Sequence, residues 1–235
     1  VIPRGEFTMG SKEHADEPAH QVVLDAYAID KYEVSNEKYK QFITATGHPA
    51  PAYWDDPRLN KPNHPVVGVN WNDATAFCKS EGKRLPTEAE WEYACRAGTT
   101  SWHPGGDDVV SLTRIANVAD QNTKKLGVFS ESFQFAPGDD GYPFTAPVGS
   151  FEANNFGLHD MVGNVWEWCE DAYDRKAYSA RAAGVIDPSE ISDGDFRVSR
   201  GGSWGSRIWD NSSFRRAPPR LNQASCNIGF RVCRN

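Results

Sequence analysis

The chain has 235 residues, a formal net charge of −7, and is rich in Gly (20), Pro (15) and Trp (8). It is long enough to bury one sizeable core, and no apolar run approaches the ~20 residues needed to span a bilayer. Five Cys at 78, 95, 169, 226 and 233 form no Cys-x-x-Cys pair, which argues against a zinc ribbon.

In chain order, residues 1–34 read as short strands and turns. The segment from Gln21 to Asp30 shows the alternation of a half-buried strand, and His20 before it reads as a surface or capping residue. Ser35 is placed to cap a helix in which Tyr39, Phe42 and Ile43 recur at helical spacing, and Gly47-His48-Pro49 stops it. Residues 48–66, rich in Pro and aromatics, read as a long ordered loop. Val66 to Trp71 reads as a short strand. Asn72-Asp73 then reads as the cap of a helix with Ala74, Phe77 and Cys78 on one face. Thr87 and Glu90 form a capping box, in which each side chain bonds the other residue's amide, ahead of a helix burying Trp91, Ala94 and Cys95.

Residues 99–150 show little periodicity. Asp107, Asp108, Asn117, Asp120, Asp139 and Asp140 scatter oxygen ligands through turns there, a composition compatible with calcium or with ordinary turn chemistry. Gly157 to Trp168 implies tight turns running into a buried strand. Glu167 between two Trp requires a cation, an amide or a metal. Residues 171–195, with turns at Asp187-Pro188 and Asp193-Gly194, read as an exposed excursion. Strands follow at Phe196–Arg200 and Ile228–Cys233, and no linker or repeat divides the chain.

The charge is unevenly spread. Residues 197–235 hold eight Arg against one acid, Asp210, a net +7, so residues 1–196 carry −14. The arginines make either an anion-attracting surface or the ion-pair partners of the acidic remainder. Nothing indicates nucleic-acid binding.

Together, Gly5–Gly10, His64–Trp71, Arg84–Tyr93, Gly157–Trp168, Arg200-Gly-Gly-Ser-Trp204 and Ile228-Gly-Phe-Arg231 resemble the formylglycine-generating enzyme (sulfatase-modifying factor) family over nearly the whole chain. The resemblance implies an α+β, irregular C-type-lectin-like fold in a single domain, 1–235. It also implies O₂-dependent oxidation of a sulfatase cysteine, using copper(I) held by two cysteines after the Gly-Gly-Ser-aromatic motif. The matching positions here are Ser206 and Asn211. A hydroxyl and an amide do not replace the soft thiolates that hold Cu(I), so copper is not expected.

The resemblance further implies two calcium sites. One matches Asn117, Val118, Asp140 and Tyr142, and the other Asp160, Gly163, Val165 and Glu167. It implies a Cys78–Cys233 disulfide, which would place the protein outside the cytoplasm, with a cytoplasmic location otherwise. Some relatives use the stretch between the last two motifs as a diversified binding surface. By that analogy Trp204, Arg207, Trp209, Phe214, Arg215, Arg216 and Arg220 would contact a protein or anionic ligand. The other reading is an O₂-dependent oxidoreductase of the same superfamily, generating formylglycine or carrying out another metal-dependent oxidation.

Overall fold

A computed structural model describes residues 1–14, 17–180, 185–186, 188–189 and 193–235. Three helices start where the chain provides a side-chain cap. Helix α1 (Asn36–Thr46) begins at Ser35, whose hydroxyl accepts from the Lys38 amide, and it ends at left-handed Gly47. Helix α2 (Trp71–Ser80) is capped by Asn70, not by Asn72-Asp73. Asn70 and Asp73 bond each other's amides, so Asp73 is the third helical residue and closes the box. Helix α3 (Glu88–Arg96) has the expected Thr87–Glu90 box. Val66–Val69 is buried but joins no strand of a sheet, and its amides reach Val34 and Ser225 instead.

The strands are short. β1 (Gly5–Met9) and β2 (His20–Leu24) pair antiparallel, while β3 (Ala28–Ile29) belongs to a different sheet, so the single strand expected over 21–30 is broken. His20 is half-buried and packs edge-on against Tyr178. Two further helices, α4 (Val109–Ile115) and α5 (Gln121–Lys124), lie in the region that shows no periodicity. Both are too brief for a pattern, and each is started by an Asp cap, Asp108 and Asp120.

The larger sheet is built on β4 (Trp166–Ala172). After a short helix α6 (Ala177–Ala180) and a two-residue β5 (Val185–Ile186) beside β2, strand β6 (Arg197–Arg200) pairs antiparallel with β4. β7 (Arg216–Ala217) adds to β6, and β8 (Ile228–Gly229) runs parallel to β4. The expected last strand is split, because β9 (Cys233–Arg234) leaves that sheet to pair with β3. The 171–195 excursion is anchored rather than wholly exposed, since Asp171, Ala177 and Tyr178 are buried. The turn at Asp187 falls outside the described residues.

Every residue of α3 is buried, which explains much of the charge pattern. Its acids are wholly or almost wholly removed from water, and each has an arginine partner. Arg84 meets Glu90 at 2.7 Å, Arg216 meets Glu88 at 2.6 Å, and Arg96 and Arg200 both meet Glu92. A buried charge persists only when paired in this way. The apolar core packs around this helix, with Trp91, Met9, Leu24 and Met161 on one side. A second cluster of Tyr39, Phe77, Trp168 and Phe230 lies under α1 and α2.

All five cysteines are free thiols. The expected Cys78–Cys233 bridge does not form. Burial pushes both thiols up to about 12, and Cys233 Sγ faces the Glu90 carboxylate at 3.9 Å.

His64 gives the fold a pH dependence. It is 3% exposed and bonds Thr145 Oγ1 through Nδ1 at 3.0 Å, and burial depresses its pKa to about 4. A base depressed on folding contributes stability that is complete above its unfolded value, near 6.5. That stability is lost as pH falls toward 4. Relative to His64→Gln, the wild type is expected to lose about 3 kcal/mol of unfolding free energy between those limits. Urea titrations at stepped pH would show it, and parallel profiles for the two proteins would refute it.

Candidate functional site

The segment between the Gly-Gly-Ser-Trp and Ile-Gly-Phe-Arg motifs starts in a tight reversal. Gly202 holds φ 78°, and a Cβ there would strike the side chain of Asn211. Position 202 therefore accommodates only glycine while Asn211 lies where it does. Asn211 is fully buried, and its Nδ2 donates to the carbonyls of Arg207 and Ile208 while its Oδ1 has no partner. Ser206 is nearly buried, and its hydroxyl accepts from Trp166 Nε1 at 2.9 Å and shares a 2.7 Å bond with Ser203. Asn227 Nδ2 donates to Ser203 Oγ, extending this chain of polar groups to the start of β8.

The residues expected to bind a ligand divide sharply. Trp204, at 7% exposed, packs on Phe144 and donates to the Cys226 carbonyl at 3.4 Å. Phe214 is 8% exposed. Arg216 is buried and bonds Glu88 through both Nε and Nη2, with its guanidinium over Tyr178. It is a structural ion-pair partner and not part of a surface. Arg200 and Arg231 are buried as well, so the anion-attracting surface suggested by the charge count is much reduced. Arg215 is drawn between Glu17 and Asp210, and Arg220 faces Asp195 at 3.6 Å over the ring of Phe196. Arg207 and Trp209 project outward, Trp209 at 60% exposure on a single turn of 3-10 helix, Ile208–Asp210.

Trp209 borders a cleft of 680 Å³. Its ring lies 4.9 Å from that of Trp102, and Phe214 on the cleft wall lies 4.8 Å from His14. The Ser213 amide donates to the Trp102 carbonyl at 2.9 Å, tying the segment to the 99–107 loop.

The oxygen-rich positions form two neighbouring groups linked by Asn164. In the first, Asp140 accepts from the amides of Val118 and Tyr142, at 2.7 and 2.9 Å, and burial pushes its carboxyl up to about 7. Asn117 is fully buried. Its Nδ2 donates to Phe144 O and Asn164 Oδ1, and its Oδ1 has no partner.

In the second, the loop turns through left-handed Asp160, Gly163 and Asn164, a backbone that non-glycine residues adopt only when their surroundings hold it. Gly163 leaves no room for a side chain, because a Cβ would meet the Asn117 carbonyl. Val165 is fully buried. Asp160 Oδ2 accepts from the Gly149 amide at 2.6 Å, Oδ1 has no partner, and burial pushes its carboxyl up to about 6.

Of the partners open to the Glu167 carboxylate, a cation, an amide or a metal, the structure supplies a cation. Its carboxylate is held by Arg231 through Nε and Nη2, at 2.7 and 2.6 Å, and by Trp91 Nε1 at 2.7 Å. Its requirement for a counter-charge is thus met within the protein.

Glu33 belongs to this group and went unread in the sequence. It is 2% exposed, Oε2 accepts from Asn164 Nδ2 at 2.8 Å, and Oε1 has no partner. Burial drives its carboxyl well above the usual range, and Asp160 and Glu167 push it further. Its signal was an acid set between Tyr32 and Val34, the same anomaly that marks Glu167. Three buried carboxylates thus share the influence of the Arg231 guanidinium. Among the described residues no three His, Cys, Asp or Glu side chains converge on one point, so any cation here would also draw on amide and backbone oxygens.

Comparison with known proteins places this geometry in a family. The sulfatase-modifying factor enzyme 1-like domain matches residues 1–235. The formylglycine-generating enzyme of Thermomonospora curvata is 34% identical, over 87% of this chain and 81% of that enzyme. PvdO from Pseudomonas aeruginosa superposes with a TM-score of 0.77 at 29% identity, covering 99% of this chain and 92% of PvdO. Treponema denticola variable protein 1 shares the fold, with a TM-score of 0.79 at 23% identity over 99% of this chain and 93% of that one. No helix among the described residues is long and apolar enough to cross a membrane. The chain belongs to the sulfatase-modifying factor enzyme 1-like family.

Proposed function

We propose that this chain is a binding member of its family, recognising a ligand through the outward face of residues 205–226 on a calcium-stabilised scaffold. One observation carries the reading. The two positions where the family holds copper carry a hydroxyl already bonded to Trp166 and Ser203 and a buried amide, while Arg207 and Trp209 between them project outward. That donor set does not fit copper(I), which needs soft thiolate ligands. Cys226, the one thiol of the segment, is half-buried, and burial raises its pKa, so it is a poor source of thiolate. With most arginines engaged internally, the contact surface is chiefly aromatic. Calcium is supported by the partnerless oxygens of Glu33, Asp160 and Asn117, hard donors of the kind this ion takes.

Aerobic incubation with copper(I) and a Cys-x-Pro-x-Arg peptide is expected to yield no aldehyde detectable by hydrazide capture. Repeated turnover to aldehyde would overturn the binding reading. The double variant Ser206→Cys/Asn211→Cys is expected to gain Cu(I) affinity by more than about tenfold over wild type in competition with bicinchoninate. Equal affinity in the two proteins would mean that these positions do not decide copper binding.

A second reading is favoured by the 34% identity to a formylglycine-generating enzyme. In that reading the chain is an oxidoreductase of the same superfamily, and aldehyde formation in the same peptide assay would favour it over binding.

A further inference from the structure

The cleft beside Trp209 has a composition that selects among ligands. We infer that it is a carbohydrate site, taking a short neutral oligosaccharide whose pyranose ring stacks on Trp209. This deepens the binding reading above and rests on it.

The platform comes first. Trp209, 60% exposed, presents a large apolar face at the cleft, and neighbouring groups brace it. Trp102 backs it at 4.9 Å, a helical turn carries it, and the Ser213–Trp102 backbone bond fixes the two loops together. A ring already held in place loses little freedom when a ligand docks, so more of the stacking energy appears as affinity. The cleft, at 680 Å³, is of the size that takes small ligands.

The rim comes second. Arg96 is buried and paired with Glu92 at 2.9 Å, so the charges left at the rim are Lys12 against Glu13 and Asp107, a slight acidic excess that does not favour an anion. What remains is an alternation of donors and acceptors around an apolar floor. Lys12 can donate, and Glu13 and Asp107 can accept. A pyranose has the complementary form, an apolar C–H face bordered by hydroxyls that both donate and accept.

A peptide strand fits less well. The main-chain edge at the cleft is already used, because Gly10 N donates to Glu92 Oε1 and Gly10 O accepts from Arg96 Nη2. An added strand would therefore find no free backbone group at Gly10.

The test uses four neutral probes, maltotriose, cellotriose, chitotriose and mannotriose, titrated into ¹⁵N-labelled protein to about 10 mM, above a millimolar Kd. At least one is expected to shift the indole N–H signals of both Trp102 and Trp209. Trp209→Ala is expected to weaken that binding at least tenfold, Trp209→Tyr to keep it within about threefold, and Lys40→Ala, on the exposed side of helix α1 and outside the cleft lining, to leave it unchanged. Should Trp209→Ala melt early, the exposed pair Lys12→Ala/Glu13→Ala serves instead, with at least a threefold loss expected at unchanged Tm.

The inference is overturned if none of the four probes shifts either indole, or if binding survives Trp209→Ala. It is also overturned if only a charged probe, trigalacturonate or a heptapeptide, occupies the cleft. A silent panel removes the carbohydrate assignment and leaves the binding reading in place. Aldehyde formation in the peptide assay removes the binding reading whatever the panel shows.

Discussion

Replacing Glu88 with Ala is expected to destabilise the fold by about 3–5 kcal/mol, the range for breaking a buried ion pair from one side. In a domain of this size that is a fall in Tm on the order of 10 °C. Glu88 accepts two bonds from Arg216 and lies 3.8 Å from Arg200 Nε, with all three side chains at 0% exposure. Without it, two guanidinium groups are left in the interior with less counter-charge. The comparison is Arg220→Ala, which breaks a 3.6 Å pair between exposed side chains. Such pairs contribute little, so the change should stay within about 0.5 kcal/mol. Thermal and urea unfolding of the two variants would measure the contrast. Comparable losses in both would mean that the cluster around α3 does not carry the stability assigned to it here.

Millimolar calcium is expected to raise the Tm of the wild type, and EGTA to reverse the rise. A ligand present at 100 times its Kd stabilises by about 2.7 kcal/mol per site. The paired variant Glu33→Gln/Asp160→Asn gives the discriminating result. In EGTA it should be at least as stable as wild type, because it removes two buried carboxylates that repel each other and Glu167. In calcium it should lose the part of the rise that comes from that group. The two melting curves would then change order between buffers. Calcium without effect on either protein would defeat the calcium proposal. A full response in the variant would assign the ion to the Asn117–Asp140 group alone.

What the chain disclosed in advance was local. Ser35 and the Thr87–Glu90 box lie within four residues of the amides they satisfy, so spacing alone identifies them. Asn70 was missed in favour of Asn72-Asp73 because all three are acceptable caps, and Trp71, read as the end of a strand, opens the helix. The motifs at 200–204 and 228–231 marked the scaffold, and the family match bears this out.

The roles of the arginines were not legible. Arg216 and Glu88 are 128 positions apart, and Arg200 and Glu92 are 108 apart, so no window of sequence contains both partners. Counting charge located the excess but could not say that three of the eight arginines lie in the interior. Glu33 was hidden for the same reason, since its neighbours Asp160, Asn164 and Glu167 come from another part of the chain.

The separation of these partners also bears on synthesis. Helix α3 leaves the ribosome with three glutamates destined for the interior, more than a hundred residues before Arg200 and Arg216 exist to meet two of them. Burying Glu88 in that interval would cost several kcal/mol. The nascent helix therefore stays hydrated, and the core around Trp91 cannot close early. Closure of this core is therefore expected to wait for the arginines at 200 and 216, and a ribosome stalled before residue 200 is expected to display a protease-sensitive chain rather than a half-built domain.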